Sequence, residues 1–74
     1  MKFIKDADGF YVDVEKATAF AVVPYRSVNG NLLWADASLF IGELKYKLGR
    51  FDDEAEAQAW LDDFVAKLNA EAIT

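Results

Sequence analysis

The C-terminal third of the chain has the most regular alternation of apolar and polar positions. Apolar side chains recur at spacings of three and four residues, which places them on one face of an α-helix. They are Ala57, Trp60, Leu61, Phe64, Val65 and Leu68. Asp53 precedes this run and Glu56 follows three residues later, as in a capping box. The pattern predicts an amphipathic helix over residues 53–68.

The preceding part of the chain has the pattern of β-strands. Runs rich in apolar and β-branched residues cover residues 2–5, 10–14, 18–28, 31–40 and 44–51. Turn-forming residues separate most of these runs, at residues 6–9, 29–30 and 42–43. We therefore predict one α+β domain over residues 1–74. It is an antiparallel β-meander of four to five strands, packed on one face by a single C-terminal α-helix.

The predicted turns determine a register, and the register assigns side chains to the faces of the sheet. Two-residue turns at Asn29-Gly30 and Gly42-Glu43 give a defined set of cross-strand pairs. These pairs are Val28–Asn31, Arg26–Leu33, Tyr25–Trp34, Val22–Ala37, Phe20–Leu39, Leu39–Tyr46 and Ala37–Leu48. Because side chains alternate between faces, both hairpins assign the same residues to the face beneath the helix. This predicted core face carries Phe20, Val22, Leu33, Ala35, Ala37, Leu39, Tyr46 and Leu48.

The opposite face of the predicted sheet combines aromatic and cationic side chains. It carries Ala21, Val23, Tyr25, Leu32, Trp34, Asp36, Ser38, Phe40, Lys45 and Lys47. We expect a cation–π contact between Phe40 and Lys45, and proximity of Asp36 to Lys47. One helix cannot cover both faces, and large exposed apolar patches usually mark binding surfaces. The predicted partner-binding residues are therefore Val23, Tyr25, Trp34, Phe40, Lys45 and Lys47.

Two alternatives remain open at this point. The N-terminal segment or residues 70–74 could fold over this face and leave no surface for a partner. In addition, Pro24 lies within a predicted central strand, where it removes a hydrogen-bond donor. Either the strand has a bulge there or its second half is an edge, and a bulge would reverse the face of Tyr25.

Composition excludes several kinds of chemistry. The chain has no Cys and no His, which removes disulfides, thiolate and imidazole metal sites, and Ser-His-Asp or Cys-His catalysis. We predict no catalytic residues, no metal site and no cofactor. Residues 6–9 are similar to the start of a calcium loop, but Ala17 stands where the bidentate Glu is needed, so we interpret them as a turn. No run approaches 18 apolar residues, so we expect no membrane contact and a cytoplasmic protein.

Charge is distributed unevenly along the chain. Eight Lys and Arg against thirteen Asp and Glu give a net charge of −5. Residues 52–74 hold seven of the acids against Lys67, a net of −6, which leaves residues 1–51 at +1. The acidic helix surface is interpreted as solubilising, or alternatively as a mimic of nucleic-acid phosphates or a docking site for a basic partner. A net negative charge argues against ordinary nucleic-acid binding.

Residues 48–61, LGRFDDEAEAQAWL, contain a Gly-x-Phe, a capping residue, Glu-Ala and a Trp. This run resembles the strand-to-helix junction of the AP2-like or arm-type DNA-binding domains of phage integrases. The resemblance implies a three-stranded sheet with one helix, which inserts the sheet into the DNA major groove. The whole pattern is also similar to small uncharacterised proteins of bacterial and phage genomes, which implies a mobile-element setting.

These observations favour a non-enzymatic protein-interaction module. We expect it to self-associate, as a dimer, through the uncovered sheet face or a strand edge. Such a protein could act as a phage or mobile-element regulator or inhibitor of a host protein. The alternative is a nucleic-acid-binding sheet that uses Tyr25, Trp34, Lys45 and Lys47, or an acidic nucleic-acid mimic.

Overall fold

The computed structural model describes residues 2–73 and confirms the α+β class, with antiparallel strands followed by one C-terminal helix. The elements are β1 (Phe3–Lys5), β2 (Tyr11–Asp13), a 3₁₀ turn (Val14–Lys16), β3 (Ala19–Arg26), β4 (Leu32–Ile41), β5 (Leu44–Phe51) and α1 (Glu54–Ile73). The described part of the molecule is elongated and measures 46 × 22 × 19 Å.

The strands form two sheets instead of a continuous meander. β1 and β2 pair with each other, and β3, β4 and β5 form a three-stranded sheet in that order. Between the sheets, the Asp13 carboxylate accepts a hydrogen bond from the Glu15 N–H and caps the 3₁₀ turn. This turn separates β2 from β3, so β3 becomes an outer strand. Pro24 is tolerated for that reason, and the register runs unbroken through it from Ala19 to Tyr25.

Two one-residue irregularities in the β3–β4 hairpin cancel each other. The loop has three residues, because the Ser27 N–H donates to the Asn31 carbonyl and Gly30 adopts φ +85°. The predicted pairs Val28–Asn31 and Arg26–Leu33 are therefore wrong. Leu33 is an extra residue that restores the register, so Tyr25–Trp34, Val22–Ala37 and Phe20–Leu39 are confirmed. Leu33 itself is 51% exposed and not part of the core.

A second bulge lies in β5. The pair Leu39–Tyr46 is confirmed, but Ala37 pairs with Gly49 and not with Leu48, because Leu48 is the extra residue. Beyond the bulge the side chains of β5 change faces. Phe51 turns toward α1, where its ring centroid lies 5.8 Å from that of Trp60. Arg50 turns to the face opposite α1, which we call the outer face.

Helix α1 begins where the capping pattern predicts. The Asp53 carboxylate accepts a hydrogen bond from the Glu56 N–H at 2.7 Å, and Asp63 and Lys67, four residues apart, form an ion pair at 2.8 Å. The helix continues to Ile73, past the predicted end at Leu68, because residues 69–73 contain no helix breaker. Its Ala57 and Leu61 are buried on the side that packs against the three-stranded sheet, where the Phe64 ring lies 6.1 Å from that of Phe20. Trp60 stacks on Phe64 and remains 37% exposed.

The β1–β2 hairpin packs on the same side of the sheet as α1. Its Val12, and Val14 of the following turn, form one apolar cluster with Leu39, and Leu68 of the helix packs against that cluster. Residues 6–9 form a turn in which the Asp6 carboxylate accepts hydrogen bonds from two backbone N–H groups, at 2.9 and 2.7 Å. Within residues 2–73, no helix has the length and apolar character needed to cross a membrane.

Candidate interaction face of the sheet

The outer face of the three-stranded sheet carries all six predicted partner-binding residues. By register it consists of Ala19, Ala21, Val23, Tyr25, Trp34, Asp36, Ser38, Phe40, Lys45, Lys47 and Arg50. Helix α1 and the β1–β2 hairpin pack on the other side. Among residues 2–73, the segment that approaches this face is the turn at residues 6–9, where the Ala7 N–H donates to the Lys47 carbonyl at 2.8 Å. Residues 70–73 belong to α1, so they do not fold over this face; residue 74 lies outside the described residues.

The side chains of the two outermost strands meet across the middle strand. The Lys45 ammonium donates a hydrogen bond to the Tyr25 hydroxyl at 2.5 Å and lies 5.1 Å from the centroid of the Tyr25 ring. Tyr25 pairs with one end of β4, at Trp34, and Lys45 pairs with the other end, at Phe40. Their contact therefore crosses the centre of the outer face. The expected cation–π contact of Lys45 is thus made with Tyr25 and not with Phe40.

This contact accounts for an unusual pattern of burial. Ser38 is 0% exposed and Asp36 is 3% exposed, although both lie on the face that no regular element covers. Both residues lie in the middle of β4, between the positions opposite Tyr25 and Lys45. Long side chains of the outer face therefore shield its own polar centre from water.

Arg50 holds the buried carboxylate of Asp36. Its Nε donates to Asp36 Oδ1 at 2.9 Å and its Nη2 donates to Oδ2 at 3.2 Å, a two-point contact that compensates the buried charge. The hydrogen bond that Arg50 donates to the Asp36 carboxylate raises the pKa of Arg50 above its usual value. The expected neighbour of Asp36, Lys47, instead pairs with Asp8 at 3.4 Å. The predicted set omits Arg50 because the Leu48 bulge sets its face; the sequence signal that could have indicated this bulge is Gly49, a glycine inside a strand pattern.

Aromatic rings and hydrogen-bond donors lie close together on this face. The Tyr25 and Trp34 rings are 5.6 Å apart between centroids, and the Arg50 guanidinium lies 4.3 Å from the Trp34 ring. The indole nitrogen of Trp34 and the hydroxyl of Ser38 are buried and have no hydrogen-bond partner among the described residues. The face therefore combines apolar rings, cations and unused hydrogen-bonding capacity.

Other surfaces offer less organised features. Three exposed aromatic side chains lie in or beside the β1–β2 hairpin, namely Phe3, Phe10 and Tyr11. Side chains alternate between faces along β1, and this alternation places Phe3 and Lys5 opposite the partly buried Ile4. It is the sequence signal that could have indicated an exposed Phe3.

A cleft of about 550 Å³ separates the 3₁₀ turn from the end of α1, and it is lined by Lys2, Val14, Glu15, Ala17, Phe20, Leu68, Asn69 and Glu71. Within the described part of the chain, no group of three or more side chains is placed to hold a metal ion.

Comparisons with protein-family models, with curated proteins and with solved structures found no match. Function is therefore inferred from the outer face itself.

Proposed function

We propose that this chain is a non-enzymatic protein-interaction module that self-associates through the outer face of its sheet. One observation carries the proposal: Tyr25, Trp34 and Phe40 lie on a face that no helix or strand among residues 2–73 covers. Aromatic side chains and Arg are enriched at the centres of protein interfaces, and uncovered apolar groups usually mark binding surfaces.

The face is a better route to association than the strand edges. Pro24 removes a backbone donor from β3, one outer strand of the sheet. The other outer strand, β5, has its Lys47 carbonyl occupied by the Ala7 N–H. Both features limit the addition of a strand from a second chain. The proposal therefore concerns side chains of the outer face.

Association would also stabilise a small domain. A chain of 74 residues forms a limited hydrophobic core. Any contact made only by the folded state adds to the free energy of unfolding by mass action. Burial of the aromatic face against a partner supplies such a contact.

The biological setting that we propose is a cytoplasmic regulator or inhibitor of a host protein, encoded by a phage or mobile element. In that role the same outer face would contact the target. The support for this setting is the general likeness of the sequence pattern to small phage and bacterial proteins.

A second candidate function is nucleic-acid binding by the sheet. It is favoured by the placement of Lys45, Lys47 and Arg50 around the Tyr25–Trp34 ring pair, since cations bind phosphates and aromatic rings stack on bases. The net charge of −5 opposes it. We therefore rank it second.

Sedimentation velocity over a wide concentration range tests the proposal. We expect the wild-type chain to sediment as larger species with increasing concentration, and the Trp34→Asp variant to stay monomeric. Tyr11→Asp is the matched control, because it makes the same kind of change at a residue that is 71% exposed on the β1–β2 hairpin. This control should associate as the wild type does.

A second variant, Lys45→Glu, keeps the test valid if Trp34→Asp does not fold. Lys45 is exposed, so Lys45→Glu should leave the circular dichroism spectrum unchanged and still weaken association. A wild-type chain that remains monomeric at every concentration would contradict the proposal. If that monomer binds labelled DNA or RNA at low salt, the second candidate replaces the first.

A further inference from the structure

We propose that the outer face of one copy binds the solvent-facing side of helix α1 of a second copy, so that the copies stack head to tail. This inference rests on the proposed self-association and adds the identity of the second surface. It follows from the charges and the side-chain sizes on the two opposite sides of the molecule.

The charges on the outer face disfavour a face-to-face dimer. Of the three cations on this face, Arg50 is paired with the buried Asp36 and Lys47 with Asp8, whereas Lys45 contacts the Tyr25 hydroxyl and ring. Two-fold pairing of this face with itself would bring the cations of both copies into one interface and add no carboxylate to those already paired. Such like-charge contacts are unfavourable at interfaces. An electrostatically matched partner should present carboxylates to this face.

The solvent-facing side of α1, on the opposite side of the molecule from the outer face, presents exposed carboxylates. Residues 52–74 have a net charge of −6, and Glu56, Asp62 and Asp63 lie exposed on α1. Asp63 pairs with Lys67, and Asp62 accepts a hydrogen bond from the Gln58 amide. At 100° per residue, Asp62 lies on one side of the direction in which α1 faces solvent, and Glu56 and Asp63 lie on the other. Carboxylates therefore flank the centre of this surface on both sides.

The centre between these carboxylates is apolar and has short side chains. It consists of Ala59, Ala66 and Ala70, which lie within about 40° of one another around the helix and are exposed. Short side chains would let the Tyr25, Trp34 and Phe40 rings approach the helix closely. Charge and shape thus point to the same contact, with aromatic rings against alanines and cations against the flanking carboxylates.

Head-to-tail stacking has two physical consequences. The two contact surfaces are different, so each added copy exposes a fresh surface, and growth continues unless the copies close a ring. The contacts between exposed charges are screened by salt. We therefore expect a concentration-dependent series of species instead of one discrete dimer, with weaker association at high ionic strength.

An exchange of charges between the two surfaces tests this inference by sedimentation equilibrium. Lys45→Glu and Asp62→Lys, made singly, should each weaken association about fivefold, because each replaces an attraction by a repulsion. The double variant should recover to within about twofold of the wild type, since it restores attraction with the signs exchanged and keeps the net charge of −5. Lys16→Glu is the control, because it makes the same charge change as Lys45→Glu in the 3₁₀ turn, away from both surfaces.

The outcomes separate this inference from the proposed function. Suppose that Asp62→Lys associates as the wild type does, whereas Lys45→Glu changes the association constant. The outer faces of two copies then pair with each other, so head-to-tail stacking is wrong and self-association stands. If the double variant is as weak as the weaker single variant, the two residues do not meet, and the inference is also overturned. If the wild-type chain does not associate, or binds only DNA or RNA, both proposals fail.

Discussion

Individual residues of the outer face show how a sheet surface can bury polar groups without a covering layer. Ser38 is fully buried and Asp36 nearly so, because the Lys45–Tyr25 contact crosses the centre of the face. Asp36 is compensated by Arg50, whereas the Ser38 hydroxyl has no hydrogen-bond partner among the described residues. A buried polar group without a partner reduces the free energy of unfolding. Ser38 therefore lies at a position where a smaller, apolar side chain fits better.

We predict that Ser38→Ala leaves the free energy of unfolding unchanged or raises it by up to about 1 kcal/mol, because it removes an unpartnered hydroxyl and little volume. The matched control is Ala37→Ser, which adds a hydroxyl to the fully buried neighbour on the core face. It should lower the free energy of unfolding by about 1–3 kcal/mol. Urea unfolding followed by tryptophan fluorescence measures both. A loss of stability in Ser38→Ala equal to that in Ala37→Ser would contradict this account of the hydroxyl.

The candidate site was predictable at the residues where strand alternation is regular. Val23, Tyr25, Trp34 and Phe40 lie on the outer face because β3 and β4 pair without interruption from Ala19 to Tyr25. Regular alternation alone places Arg50 on the wrong face. Its face depends on the extra residue Leu48, and the signal for a bulge there is Gly49, a glycine inside a strand pattern.

At the scale of elements, local signals located α1 and the hairpin turns well. The Asp53 cap and the three- and four-residue spacing of apolar positions are properties of neighbouring residues, so they are visible in the sequence. The division into two sheets is a different case, because it depends on whether β2 pairs with β3, the next strand along the chain. The 3₁₀ turn capped by Asp13 lies between these two strands, and its residues do not distinguish a corner within a sheet from a break between sheets.

We predict that Asp53→Ala lowers the free energy of unfolding by about 1 kcal/mol, because the N–H of Glu56 loses its partner. Asp52→Ala is the matched control. It removes the same charge one residue earlier, at an exposed position outside the helix, and should cost a few tenths of a kcal/mol at most. Thermal unfolding followed by circular dichroism compares the two. Equal losses would show that the charge near the helix dipole matters and the cap does not.

At the scale of the whole molecule, the two sheets should differ in local stability. The β1–β2 sheet has strands of three residues, and such short two-stranded sheets are marginal without support from packing. Its support comes from the cluster around Val12 and Leu39, the Ala7–Lys47 hydrogen bond and the ion pair between Lys2 and Glu71. β4, in contrast, is paired on both sides.

We predict that the backbone amides of Ile4 and Val12 exchange their hydrogens at least about tenfold faster than those of Ala37 and Leu39, because the small sheet opens before the large one. Hydrogen exchange followed by nuclear magnetic resonance measures this difference. Lys2→Ala should increase it by speeding exchange in β1 and β2 alone. Equal protection of all four amides would mean that the molecule opens as one unit.

The extra residue in β5 has a consequence for how this chain can change during evolution. Leu48 is the residue that Gly49, Arg50 and Phe51 bypass, so that Arg50 belongs to the outer face and Phe51 to the core. Loss of its codon would remove the bulge and leave Arg50 opposite Asp36 and Phe51 on the side of Trp60, because Gly49 would then follow Lys47 in regular alternation. Replacement of Leu48 without its loss could instead let the strand pair regularly, and that would exchange the faces of Arg50 and Phe51. This strand should therefore tolerate a change of length at the bulge better than a change of register.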